Sequence, residues 1–277
     1  MFEIFQYQFI INSLIAGTLV AVVAPIIGTF LVVKRFSAFS DTIAHTSLVG
    51  IVIGLILKLN PIISAIISAI IAALSIEAVR KNQKTFNDSI LVLFMTGGLG
   101  LSTILVSLNK NSGININNYL FGSINTITLS DIWITLGIAV FVIGAISWNY
   151  KKLFQVAFDE EMAIANKVPV DNLNRLFFIL AALVVSISIQ TIGVLLISSL
   201  MIIPVLTSLK FKQSFLKTII VSAALGVVSI WLGVIGSFYN NLATGGVIVM
   251  VNIILYILVA IYKSTNSELI FAKFQKN

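Results

Sequence analysis

The chain has 277 residues, of which 58% are hydrophobic and only 10% are charged, and its mean hydropathy is +1.08. Soluble domains carry roughly 25% charged residues, so the composition excludes a soluble protein and predicts an integral membrane protein, whose long apolar runs indicate helices and not a barrel. The net charge of +7 does not indicate a nucleic-acid partner because the basic residues lie between the apolar runs, and the lack of cysteine excludes disulfides, thiolate metal sites and iron–sulfur clusters.

Nine apolar segments predict one polytopic all-α domain over residues 1–277, embedded in membrane lipid. The predicted spans are 9–33, 37–57, 61–79, 88–108, 130–149, 174–190, 192–209, 216–238 and 244–262. The two segments within 174–209 are near the lower length limit for a span. They are either two tilted crossings or one broken, partly re-entrant element, so the prediction is about nine spans with eight as the alternative. The first run has no basic start and is too long for a signal peptide, which predicts a retained span.

The basic residues predict how the chain is oriented. If residues 34–35 lie in the cytoplasm, 15 of the 17 lysines and arginines fall in alternate, inner segments, and only Lys58 and Lys110 fall outside. Cytoplasmic loops of membrane proteins carry such an excess of Lys and Arg. We therefore expect a multi-pass protein of the cell membrane with its N-terminus outside and its C-terminus in the cytoplasm.

The second predicted span contains an ionisable pair, Asp41 and His45, and His45 is the only histidine in the chain. Ionisable residues inside a membrane are costly and indicate a functional site. Positions i and i+4 lie on the same face of a helix, and a rise of about 1.5 Å per residue places His45 near the middle of a bilayer core about 30 Å thick. Neighbouring hydroxyl residues predict that this face lines a pore: Ser40, Thr42, Thr46 and Ser47.

A carboxylate and an imidazole provide half of a divalent-metal site. Zinc usually takes four donors, and the sequence offers no second histidine, no cysteine and no other carboxylate near the middle of a span. A two-fold symmetric dimer would supply two copies each of Asp41 and His45, a nitrogen and oxygen ligand set that suits Zn²⁺ or Mn²⁺. The alternative is that the two side chains only hydrogen-bond to each other or lie at an interface.

Two polar loops separate the spans. The outer loop, 109–129, is rich in Asn, Ser and Gly, which predicts irregular structure. The inner loop, 150–173, has three successive acidic residues from Asp159 that predict the start of a short helix, and Pro169 is expected to end or kink that helix. A short helix on the cytoplasmic face is either a docking surface for another protein or a plain connection between spans.

Several motifs follow one another along the chain. They are GTFLVVKR at 28–35, SDTIAH at 40–45, YLFGSI at 119–124, FDEEMAIA at 158–165, GVLL at 193–196, LMIIP at 200–204 and TGG at 244–246. With these motifs the chain resembles, almost from end to end, the permease subunits of bacterial ABC importers for zinc, manganese or iron. Asp41 and His45 match the pattern of that family. The family typically has Gly, Pro and Gly where this chain has Ser40, Val49 and Lys167.

The resemblance implies a homodimeric pore, two cytoplasmic ATPase subunits and an extracytoplasmic metal-binding protein that delivers the ion. It implies that Asp41 and His45 hold the passing metal, with Zn²⁺ favoured and Mn²⁺ or Fe²⁺ as alternatives, and that no cofactor is permanently bound. The inner loop would be the coupling helix that contacts the ATPase. Its residues at the matching positions are Phe158, Asp159, Glu161, Met162, Ala163, Ala165, Lys167 and Pro169.

Other functions are weighed against this one. The chain has no G-x-x-x-x-G-K-[ST] phosphate loop, so it is not expected to hydrolyse ATP itself. A secondary transporter would use Asp41 and His45 as a proton or ion relay and would show an internal repeat, which the sequence lacks. A membrane enzyme would use His45 as an acid or base and would need further polar groups near the middle of the membrane.

Overall fold

The computed structural model describes residues 6–82, 87–109, 117–122, 127–240 and 242–274, and every regular element in these ranges is helical. This confirms the predicted all-α membrane fold. The helices are α1 (Gln8–Val33), α2 (Phe39–Ile56), α3 (Pro61–Asn82), α4 (Asn87–Leu108), α5 (Asn117–Leu120), α6 (Leu129–Phe158), α7 (Glu160–Ala165), α8 (Val170–Ile192), α9 (Ile197–Leu209), α10 (Phe215–Asn240) and α11 (Thr244–Phe274). Within the predicted outer loop the structure gives the short helix α5, while 110–116 and 123–126 lie outside the described residues.

Eight of the described helices are long and apolar enough to cross a membrane, namely α1, α2, α3, α4, α6, α8, α10 and α11. The remaining predicted span, 192–209, corresponds to α9, which has 13 residues. At about 1.5 Å per residue this helix is roughly 20 Å long, shorter than a bilayer core of about 30 Å. Although α9 is short, Phe215 at the start of α10 lies 5.8 Å from Phe158 at the end of α6, which is the face where α8 begins. α9 therefore leads the chain from the far end of α8 back to that face and acts as a ninth, shorter crossing.

Helices α1 and α8 form the centre of the bundle. α1 packs against α6, α8, α9 and α10, while α8 also packs against α2, α3 and α6. α2, α3 and α4 pack together on one side, and α9, α10 and α11 pack together on the other. Aromatic rings join the central helices, with Phe30 of α1 lying 5.9 Å from Phe177 of α8 and Phe39 of α2 lying 4.8 Å from Phe178 of α8. This packing puts α2, the helix with the ionisable pair, against the core.

The inner loop differs from its prediction. α6 continues through residues 150–158, which were expected to be loop. Asp159 then separates α6 from α7, and its side chain caps α7 by accepting a hydrogen bond from the amide of Met162 at 2.9 Å. The short helix itself is confirmed. The expectation that Pro169 ends it is wrong, because α7 stops at Ala165 and Pro169 instead precedes the first turn of α8.

Helix α7 ends with Lys167 in the left-handed conformation, at φ 58°. The amide of Val168 donates back to the carbonyl of Ala163 at 3.0 Å, which is the hydrogen bond of a Schellman motif. Arg35 and Lys58 have the same backbone conformation after α1 and α2. Glycine adopts this conformation without cost, which explains why the resembling family has glycine at the position of Lys167. A cation near the negative end of the helix recovers part of the cost here.

We expect Lys167→Gly to stabilise the protein by about 1 kcal/mol, because it removes the steric penalty of a Cβ in the left-handed region. Thermal unfolding of the detergent-solubilised protein measures the change. The matched control is Lys152→Gly, an exposed lysine inside α6, where glycine is expected to destabilise the helix by about 1 kcal/mol. If both variants were stabilised, or both destabilised, the left-handed conformation of Lys167 would not explain the effect.

Candidate functional site

Helix α2 is held between α3 and α4 by glycines that let the backbones meet. A Cβ on Gly98 of α4 would lie 3.0 Å from the Cα of Thr46 and 3.1 Å from the carbonyl carbon of His45. On the other side, a Cβ on Gly50 would clash with the carbonyl oxygen of Ser64 in α3. Since both contacts are with backbone atoms, the segment that carries His45 has little freedom to shift towards either neighbour.

The imidazole of His45 is buried beside the carboxylate of Asp41. The exposed fraction of His45 is 7%, and its Nδ1 has no hydrogen-bond partner in the described part of the chain. Asp41 is half-buried and interacts electrostatically with the imidazole. A buried polar atom without a partner costs about 1–3 kcal/mol, so such an atom calls for a ligand. A free ring nitrogen one helical turn from a carboxylate is a donor set that suits a divalent transition metal.

The hydroxyl groups around this pair do not line a pore within the chain. Ser40, Thr42, Thr46 and Ser47 are all buried, and each donates a hydrogen bond to a backbone carbonyl. The expectation that they form a pore-lining face is therefore wrong for this chain, since their polar atoms are used within the bundle. Asp41 is the one residue from 39 to 52, a stretch described throughout, that is not buried, so it marks where the pair can be reached.

The pair is an incomplete metal site. No group of three or more His, Cys, Asp or Glu side chains comes together among the residues that the structure describes. Asp131, a carboxylate outside the pair, is occupied at the start of α6, where it forms a capping box with Thr128. Asp41 and His45 thus offer two donors, and a four-coordinate ion would need the others from a second chain or from water.

The predicted coupling residues lie around α7. Ala163 is buried, whereas the other seven are exposed: Phe158, Asp159, Glu161, Met162, Ala165, Lys167 and Pro169. The exposed fraction reaches 66% for Met162 and 59% for Phe158. Exposed apolar side chains thus lie next to charged ones at this end of the bundle.

Glu160 anchors α7 to the bundle. Its Oε1 lies 3.1 Å from Nζ of Lys34 and 3.5 Å from Nη1 of Arg80, and it accepts a hydrogen bond from Nδ2 of Asn174 at 3.1 Å. The sequence does not single out Glu160 among the three successive acids from Asp159. Glu160 and Ala163 are three residues apart and share one face of α7, and Ala163 is the buried residue.

Three of the sequence motifs meet at the far end of α8. The amide of Val194 donates to the carbonyl of Tyr119 at 2.8 Å, which joins the break after α8 to α5. Gly193 has φ 96°, and a Cβ there would clash with the backbone at the end of α5. A Cβ on Gly245 would clash with the carbonyl oxygen of Ile192. These glycines therefore serve close backbone packing.

The chain matches known proteins over most of its length. The model of the ABC 3 transport family matches residues 6–263. A probable metal transport system membrane protein of Treponema pallidum is 32% identical over 257 residues, which cover 92% of this chain and 95% of that protein. The manganese transport system membrane protein MntC of Listeria monocytogenes is 30% identical over 268 residues, with 97% and 95% covered.

A solved structure has the same fold. The structure of PsaBC from Streptococcus pneumoniae in complex with Fab contains a chain that superposes with a TM-score of 0.83 at 28% identity, and 92% of each chain is covered. The family resemblance that the motifs indicated is confirmed by these matches. The chain belongs to the ABC 3 transport family.

Proposed function

We propose that this chain is the membrane-spanning permease subunit of an ATP-driven importer of divalent transition-metal ions in the cell membrane. Family membership and the names of the relatives, which describe metal or manganese transport, support the proposal. The sequence has no phosphate-binding loop, so ATP hydrolysis is assigned to separate cytoplasmic subunits and the chain itself is not an enzyme. The chain forms a single permease domain over residues 1–277, with its N-terminus outside and its C-terminus inside as its basic residues predict.

The observation that carries the proposal is Nδ1 of buried His45, beside Asp41, which has no hydrogen-bond partner among the residues that the structure describes. Two copies related by a two-fold axis would supply two carboxylates and two imidazoles to one ion. Asp41 is the residue through which the pair reaches the surface, so the second copy is expected to approach there. We therefore assign the metal-holding role to Asp41 and His45 of both copies, with lipid covering the remaining exposed aliphatic faces.

Mn²⁺ is the proposed main cargo, with Zn²⁺ and Fe²⁺ as competitors. The sequence alone favours zinc. Because several relatives are named for manganese transport, we propose Mn²⁺ ahead of Zn²⁺. Carboxylates suit Mn²⁺ and imidazoles suit Zn²⁺ and Fe²⁺, so the mixed set is compatible with all three ions.

Uptake by reconstituted vesicles tests this function. Vesicles that contain the chain with its ATPase subunits are expected to take up Mn²⁺ only while ATP is hydrolysed, and an excess of Zn²⁺ is expected to slow that uptake. Uptake driven by a proton gradient without ATP would support the relay mechanism of a secondary transporter instead. Absence of uptake for Mn²⁺, Zn²⁺ and Fe²⁺ would reject the proposed cargo.

The exposed surface around α7 is the proposed docking site for the ATPase, and an extracytoplasmic metal-binding protein is expected at the opposite face. The chain has no cysteine, so one introduced cysteine gives a unique crosslinking site. We expect Met162→Cys to crosslink to the ATPase subunit in the purified complex. Tyr239→Cys, which replaces an exposed residue near the end of α10 at the other face, is the matched control and is expected not to. The reverse result would contradict the proposed orientation.

A further inference from the structure

Four helices meet at one ionic cluster, which consists of Lys34, Glu77, Arg80, Glu160 and Asn174. Nζ of Lys34 donates to Oε1 of Glu160 at 3.1 Å and to Oδ1 of Asn174 at 2.8 Å. Nε of Arg80 donates to Oε2 of Glu77 at 2.8 Å within α3. The side chains of Lys34 and Glu77 are only 8% and 5% exposed. The cluster therefore joins the end of α1, α3, α7 and α8, with Lys34 and Glu77 buried and Glu160, which is 38% exposed, at its edge.

Charge balance makes the cluster depend on α7. Arg80 and Glu77 neutralise each other within α3, so the counter-charge of Lys34 is Glu160. Burial lowers the pKa of Lys34, and Glu160 opposes this effect in part. Although burial alone would raise it, Lys34 and Arg80 hold the pKa of Glu160 below its ordinary value. A buried ammonium that loses its carboxylate is strongly unfavourable, so the charges hold α7 at this place on the bundle.

The same cluster contacts the start of α2. Lys34 is the first residue after α1 and belongs to the short connection to α2. The guanidinium of Arg80 lies 5.6 Å from the ring centre of Phe178, and that ring lies 4.8 Å from the ring of Phe39, the first residue of α2. Asp41 follows in the same helical turn. Contacts thus run without interruption from Glu160 to the helix that carries the proposed metal ligands.

We propose that Glu160 is a positioning residue that ties movement of α7 to the first turn of α2. A displacement of α7 must either separate Glu160 from Lys34, which leaves a buried charge unpaired, or carry the corner between α1 and α2 with it. Since the first outcome is strongly unfavourable, the corner moves. This inference rests on the proposed function, because it takes the ATPase to be the partner that moves α7.

A cysteine at Ala38 reports on this corner. Ala38 is exposed and immediately precedes α2, and the chain has no other cysteine. In the complete complex, we expect ATP with vanadate to change the rate of thiol labelling of Ala38→Cys by at least about threefold relative to the nucleotide-free state. Adding Glu160→Gln is expected to abolish this change while ATP hydrolysis persists, and to lower the metal transported per ATP by about tenfold.

The matched control is Asp171→Asn. Asp171 pairs with Lys81 between α8 and α3 at the same end of the bundle, at 2.6 Å, but both side chains are more than half exposed. Exposed pairs contribute little, so this variant is expected to keep both the labelling change and the transport per ATP of the wild type. A loss in Asp171→Asn equal to that in Glu160→Gln would overturn the specific role of Glu160.

The remaining outcomes also decide the proposal. A labelling change in Glu160→Gln equal to that of the wild type overturns it, and so does the absence of any change in the wild type. If Glu160→Gln does not assemble, Lys34→Gln combined with Glu160→Gln removes both charges together and leaves no unpaired ammonium. The loss of the labelling change in this double variant supports the proposal, and a full change overturns it. A complex that shows the labelling change but moves no metal would reject the proposed cargo and leave the role of Glu160 intact.

Discussion

Vesicles that contain the Asp41→Asn or the His45→Gln variant are expected to lose at least about 100-fold in the initial rate of metal uptake. Each substitution changes both copies of the proposed dimer and so affects two of the four donors. Loss of an outer-shell partner alone typically costs about 10–100-fold, and the loss of the ligands themselves must cost more. Asparagine also removes the charge that offsets the cation within the membrane. The measurement is Mn²⁺ uptake at saturating ATP, normalised to the amount of assembled complex.

The control for this prediction is Asp88→Asn, which makes the same chemical change in the first turn of α4, at an exposed position. Exposed substitutions away from special features have small effects, so uptake is expected to stay within about twofold of the wild type. Persisting ATP hydrolysis in the Asp41 and His45 variants would place the defect in the ion path. Uptake at the wild-type rate in both variants would contradict the role of the pair as metal ligands.

The packing of α2 bears on how a held ion would be released. A site in a transport path must bind its ion and then weaken. Gly50 and Gly98 bring the backbones of α3 and α4 against α2 around His45, so this part of α2 moves with its neighbours. In the proposed dimer, the ligands would therefore separate when the two copies of α2 move apart, and not by rotation of single side chains. The contacts from Glu160 to Phe39 would transmit a movement of α7 to α2.

The membrane helices and the ionisable pair were predictable from the sequence because the membrane makes both conspicuous. Apolar runs are needed to cross lipid, and a charge such as Asp41 within one of them stands out. The end of α6 was missed because the apolar run stops near Asn149 while the helix continues. Leu153, Val156 and Ala157 are buried there, at the i, i+3, i+4 spacing of a helix with one buried face. The spacing of these apolar residues therefore predicts the helix, although the mean hydropathy of the segment does not.

The ionic cluster was not predictable in the same way. Lys34 and Glu160 are 126 residues apart, and a single sequence does not show which of the three acids from Asp159 to Glu161 faces the bundle. The hydroxyl groups near His45 were misjudged for a related reason, since polar side chains on a membrane helix can satisfy themselves on their own carbonyls. Composition identified a polar stretch, and only the packing showed that its hydroxyl groups are already bonded.

The turn between α8 and α9 depends on Gly193, and Gly193→Ala is expected to destabilise the protein by about 3 kcal/mol. Gly193 has φ 96° and ψ 154°, a region that is nearly restricted to glycine. A Cβ there would also clash with the carbonyl oxygen of Leu120 at the end of α5, and backbone atoms cannot rotate away. The hydrogen bond from Val194 to Tyr119 would be strained as a result.

Thermal unfolding of the detergent-solubilised protein measures this effect, and Gly100→Ala is the matched control. A Cβ on Gly100 would meet nothing within 4 Å, and the residue lies inside α4, so alanine is expected to leave stability unchanged or raise it by up to about 1 kcal/mol. Unchanged stability of Gly193→Ala would show that α5 and the turn can separate freely. A loss confined to Gly193→Ala would mean that the three motifs at this end form one packed unit, held by contacts that hydropathy does not record.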